Sequence, residues 1–85
     1  MSDRLSEALD AVQDERSFCA FLLALSEDRK NLKTASSWQW DKIEDFLESA
    51  AVWGETSQQG LPLYKPPENP WKRCAHIIFS GKIYE

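Results

Sequence analysis

The sequence predicts an all-α fold, a small four-helix bundle with a long Pro-bearing loop before the last helix. Three observations carry this. Ile43, Phe46, Leu47, Ala50 and Trp53 recur at helical spacing and make one apolar stripe. Asn69 and Pro70 place a strong N-cap and a preferred first-turn residue ahead of Trp71. Phe18, Phe21, Leu22 and Leu25 repeat the spacing behind Asp14, a second N-cap. The expected helices run over 3–13, 15–33, 41–53 and 70–83.

The first helix rests on Leu5, Ala8, Leu9 and Val12, with Ser2 or Asp3 as its cap. The cap signal at Asp14 favours a break over one bent helix running through Gln13. Leu32 extends the second stripe and Leu23 widens it, so that helix is expected to meet more than one neighbour. From Ser26 the chain turns polar, and Thr34 to Ser37 reads as a short connector between antiparallel helices.

The third helix is expected to start at Asp41, which has capping-box spacing to Glu44. Gly54 is expected to stop it as the left-handed C′ residue. Burying its five stripe residues contributes about 8–10 kcal/mol, at roughly 1.5–3 kcal/mol for each large side chain. Ordering its backbone costs on the order of 1–2 kcal/mol per residue. The helix therefore needs partners. The second, third and fourth helices are expected to form the main core.

Between Glu55 and Asn69, Gly60, Pro62, Pro66 and Pro67 block regular structure. Leu61, Leu63 and Tyr64 in this stretch lay it down on the domain. The last helix has Trp71, Cys74, Ala75 and Ile78 on one stripe, with Ile77, Phe79 and Ile83 off it. Such breadth makes it the central helix or an interface. Gly81 either ends it early or admits another backbone at close range.

Eighty-five residues make one domain over 1–85. The net charge of −4 argues against nucleic acid or anionic lipid as a partner and leaves room for a basic protein. No apolar run is long enough to span a membrane, and the N-terminus lacks a hydrophobic signal region. The expected location is cytoplasmic. Cys19 and Cys74 read as small buried hydrophobes, with a disulfide between the second and last helices, or a metal or nucleophilic role, as the alternatives.

Charge is uneven along the chain. Asp41, Glu44, Asp45 and Glu48 against Lys42 leave residues 41–48 at −3. Lys65, Lys72, Arg73 and Lys82 against Glu68 and Glu85 leave residues 65–85 at +2. The third and fourth helices are thus expected to attract each other weakly.

Candidate site residues follow from this pattern. Trp38 and Trp40 form an aromatic contact patch or close the core over the helix start. Glu44, Asp45 and Glu48 offer a face to a basic protein or are a solvated helix face. Tyr64 forms a binding lip or covers the helices. His76 has no second histidine or triad spacing and reads as structural. No catalytic, metal-ligating or cofactor pattern is visible, so no enzyme activity or cofactor is expected.

The order Trp38, Ile43, Phe46, Leu47, Trp53, a Pro-bearing loop with Tyr64, Pro70, Trp71, Ala75, Tyr84 and Glu85 resembles a bacterial family of small acidic helical proteins. That family is a domain-of-unknown-function family with a W-x-N-x-x-L-x-x-F-L pattern, a later W, a P-x-W and an end near Y-E. The resemblance covers about residues 16–85. Trp40 departs from it, standing where the family carries Asn. The resemblance implies a small helical domain with no established activity.

The expected function is a non-catalytic protein-binding module. By analogy of size and charge it is an immunity-like inhibitor, or else an adaptor. The alternative is a small-ligand-binding or enzymatic domain with a pocket under the 55–69 loop. A homodimer through the broad face of the last helix is a third reading.

Overall fold

The computed structural model describes residues 4–31, 33–58, 60 and 64–84, the side chain of Ser36 excepted. Among these residues four α-helices account for the fold: α1 over Arg4–Asp10, α2 over Glu15–Lys30, α3 over Ile43–Gln58 and α4 over Pro70–Ile83. A 3₁₀ turn at Ala35–Ser37 follows α2. The proposed caps at Ser2 or Asp3, and Leu32, Leu61 and Leu63, lie outside the described residues.

Local chemistry sets two helix starts as expected. The Asp14 carboxylate accepts the Ser17 amide at 2.9 Å, and the Ser17 hydroxyl accepts the Asp14 amide at 3.0 Å. This reciprocal pair satisfies two of the donors a helix N-terminus leaves open. Those bonds from Ser17 hold the Asp14 carboxyl below the usual carboxylate range. Asn69 caps α4 by accepting the Trp71 and Lys72 amides at 2.9 and 3.1 Å. Its amide nitrogen donates to the Gln13 carbonyl at 2.9 Å, fastening the start of α4 to the link between α1 and α2.

α4 is central and touches the other three helices. α3 packs chiefly on α4, and α1 on α2. The expected α2–α3 neighbour pair is not what forms: the two helices barely meet. The hydrophobic centre is Leu5, Val12, Phe21, Leu25 and Ala75, so α1 and its link contribute as much as α2.

α3 departs from its expected limits and from its expected face. It starts at Ile43, and Asp41 lies ahead of it, directed at Arg29 3.8 Å away. It runs through Gly54 and ends at Gln58, while Gly60 takes the positive φ of 86°. Gly54 serves packing: a Cβ there would meet the Ile77 side chain at 3.4 Å. Ile43 and Leu47 turn outward, 73 % and 58 % exposed, and Phe46 is half-buried. The buried residues of α3 are Ser49, Ala50, Gly54 and Ser57.

The reason is steric. A seam of small residues lets α3 and α4 approach closely, and Gly81 is the point of closest fit. A Cβ on Gly81 would fall 2.8 Å from the Phe46 carbonyl oxygen and 3.1 Å from the Ala50 Cβ. Of the two roles expected for Gly81, the structure shows the close backbone approach. Leu23 is also exposed, so the broad second face is narrower than its sequence suggests. Cys19 and Cys74 are free and exposed, which corrects their assignment as buried hydrophobes.

Candidate functional site

The segment between the 3₁₀ turn and α3 closes the C-terminal end of α4. The Gln39 amide donates to the Lys82 carbonyl at 2.8 Å, and the Trp40 indole N–H donates to the Tyr84 carbonyl at 3.0 Å. The Ser49 hydroxyl donates to the same Tyr84 carbonyl. These bonds satisfy carbonyls that a helix end otherwise leaves open. The Trp38 indole N–H donates to an Asp28 carboxylate oxygen at 2.8 Å, and its ring lies 5.6 Å from Phe46. Both tryptophans are half-buried, and their polar edges are already engaged within the fold.

The same carboxylate oxygen of Asp28 receives Lys82 Nζ at 2.8 Å. Both side chains are 8 % exposed. Lys82 therefore turns to α2 and is not part of a basic surface on α4. Among the described residues no ion pair joins α3 to α4. The expected charge attraction between those helices has no contact to act through.

Because α2 and α3 stand apart, an apolar groove opens between them. Leu22, Leu25, Trp38, Trp40, Ile43 and Phe46 line it, around a cavity of about 410 Å³. Arg29, Lys30, Asp41 and Lys42 stand at its edge. Arg29 and Asp41 are an exposed pair, worth about 0–1 kcal/mol. On α3 beyond the groove, Glu44 and Glu48 are exposed next to Ile43 and Leu47, and Asp45 is half-buried. The outer face of α3 is thus apolar and acidic together.

Tyr64 docks elsewhere, on α3 and α4. Its ring meets Trp53 edge-on at 4.9 Å. Its hydroxyl lies 3.0 Å from His76 Nδ1 and accepts from Arg73 Nη1 at 3.2 Å. Arg73 Nη2 donates to the Gly54 carbonyl at 3.1 Å, and the guanidinium stacks 5.4 Å from the Trp53 ring. Arginine can only donate, so the Tyr64 oxygen is an acceptor toward Arg73, and the direction of its bond with Nδ1 follows the imidazole tautomer. Burial keeps the His76 pKa below the usual imidazole value. Lys72 and then Arg73 lower it further, and Asp10 partly opposes them.

Leu9, Trp53, Tyr64, His76, Phe79 and Ile83, with Ser80 and Tyr84, line a second cavity of about 360 Å³. Nothing in the sequence brings Arg73 to Trp53 and Tyr64, or Lys82 to Asp28. Each partnership joins residues at least nine positions apart, with no local spacing signal.

No helix among the described residues is long and apolar enough to cross a membrane. No group of three or more His, Cys, Asp or Glu side chains among them could hold a metal ion.

The fold and these surfaces define a small all-α protein built on a central last helix. The chain belongs to a family of unknown function (DUF7660), whose model matches residues 14–85. The match begins at the Asp14 cap and leaves α1 outside it. No curated protein and no solved structure matches the chain.

Proposed function

We propose that this chain is a non-catalytic protein-binding module, an immunity-like inhibitor or an adaptor, that docks a basic partner on the outer face of α3 and the adjoining groove. The observation that carries the reading is the outward turn of Ile43 and Leu47 beside Glu44 and Glu48. Two large aliphatic side chains lie open to water on a helix with small residues enough to pack without them. Exposed apolar surface flanked by charge is the usual make-up of an interaction site. The groove lined by Trp38 and Trp40 gives an apolar partner side chain a place to enter. The acidic residues beside it favour Lys or Arg on the partner and raise its association rate.

Photocrosslinking from position 47 in native lysate tests the reading. A partner should be captured at low salt, and less of it as ionic strength rises. Reversing Glu44, Asp45 and Glu48 to Lys should abolish the capture. Capture that survives the triple reversal at low salt overturns the acidic-face reading.

A further inference from the structure

We propose that the cavity beneath Tyr64 binds a compact aromatic monocarboxylate, with its ring against Trp53, Phe79, Leu9 and Ile83 and its carboxylate at the Nε2–H of His76. This goes beyond the protein-binding reading, and among the described residues the cavity shares no lining residue with the α2–α3 groove.

The walls select an apolar body. Trp53, Phe79, Leu9 and Ile83 offer it no charged group, and about 360 Å³ lies at the small end of the range for ligand pockets. The polar end is defined by a chain of donors. Arg73 donates to the Tyr64 hydroxyl, which lies 3.0 Å from His76 Nδ1, and we take the tautomer in which that hydroxyl donates to Nδ1. With Nδ1 held by Tyr64, Nε2 has no partner among the described residues, and in this tautomer its N–H is the donor offered to a ligand. The Ser80 hydroxyl is engaged with the Ile77 carbonyl at 2.6 Å, so it does not compete for the ligand.

Charge selects an acid over an amide or alcohol. Burial is the largest cause of the lowered His76 pKa, Lys72 and then Arg73 on α4 add to it, and Asp10 on α1 opposes them. Tyr64 faces it from the 64–69 segment, and Trp53 of α3 brings no charge. Arg73, 3.2 Å from the Tyr64 hydroxyl, and Lys72 place positive charge near the ring, and that charge favours an anion beside it. The bound carboxylate and the imidazole then form a charge-assisted hydrogen bond once His76 takes a proton.

The test titrates phenylacetate, and separately phenylacetamide, into the isotope-labelled full chain and follows His76, Trp53 and Phe79 by NMR. Phenylacetate should shift all three saturably with a Kd below about 1 mM, and phenylacetamide should bind at least about tenfold more weakly. The His76 pKa should rise with phenylacetate bound. Ile83 sits at the rim and is exposed, so Ile83→Trp should fill the cavity in a folded chain and weaken phenylacetate at least about tenfold. Ile83→Phe serves if the larger ring unfolds the chain. No saturable shift, equal affinity for acid and amide, or binding unchanged in the filled variant overturns the proposal. Partner capture through α3 is read separately, so either proposal can fail alone.

Discussion

Lys82 at the end of α4 and Asp28 near the end of α2 form an ion pair at 2.8 Å with both side chains all but removed from solvent. The Asp28 carboxylate also takes the Trp38 indole N–H, so one group joins α2, α4 and the segment leading into α3. Removing one partner strands a buried charge. Lys82→Met should lower the unfolding free energy by about 3–5 kcal/mol. The double variant with Asp28→Leu should recover part of that loss, because no charge is then left unpaired, although Trp38 loses its acceptor. Urea denaturation of the two variants and the parent measures both.

Gly81 and Gly54 both sit in the α3–α4 contact and should respond oppositely to alanine. Gly81→Ala drives a Cβ against the Phe46 carbonyl, which is backbone and cannot swing aside. A cost of about 1–3 kcal/mol is expected for such overpacking. At Gly54 the nearest atom is 3.4 Å away on the Ile77 side chain, an ordinary contact. Gly54→Ala should therefore gain about 0.5–1 kcal/mol from helix propensity alone. Thermal melts of the two variants should move in opposite directions from the parent.

These glycines show where the sequence was readable. The capping signals at Asp14 and Asn69 lie within three residues of the groups they satisfy, so local spacing revealed both helix starts. Helix count followed from caps and periodicity, and apolar breadth left α4 as either the central helix or an interface, of which the contacts show the first. The face of α3 did not. Hydrophobic periodicity assigns Ile43 and Leu47 inward, yet close packing on α4 selects Ser49, Ala50, Gly54 and Ser57 because they are small. Gly54 looked like a stop because glycine serves both as a C′ residue and as a site of close approach, and only the neighbouring helix decides between them. Lys82 and the Arg73–Tyr64–His76 chain were hidden for a related reason: tertiary contact pairs them, and no spacing does.

His76 should make stability depend on pH. Burial first, then Lys72 and Arg73, lower its pKa in the folded chain, with Asp10 of α1 partly opposing and the Tyr64 hydroxyl facing Nδ1. The unfolded chain then binds the proton more readily than the folded one. The contribution is present above the ordinary imidazole value of about 6.5 and is lost as pH falls through the lower folded pKa. Unfolding free energy should drop on going from neutral to mildly acid buffer. His76→Gln should flatten that part of the profile, and an equally steep profile in the variant would contradict the assignment.

Cys19 and Cys74 should both react with a thiol reagent in the folded chain without denaturant, since each is exposed. Buried thiols would label only at the rate of unfolding. Stoichiometric, prompt labelling of two thiols by mass spectrometry is the expected result, and protection of either would place that residue in a contact the monomer does not show.

The outward turn of α3 is tested by a pair of substitutions with opposed expectations. Leu47 is 58 % exposed, so Leu47→Gln removes little buried area and should change stability by no more than about 0.5 kcal/mol. Ala50 is 7 % exposed and lies where a Cβ on Gly81 would touch it, so Ala50→Leu has no room. It should cost about 1–3 kcal/mol, with α3 and α4 forced apart. A stripe pointing inward, as periodicity alone suggests, reverses the order: Leu47→Gln would then be the damaging change. Leu47→Gln also separates folding from recognition, because with the crosslinker moved to exposed position 43 the variant should melt like the parent while losing capture of the partner. Retained capture would move the docking surface off α3, and a collapse in stability would return Leu47 to the core.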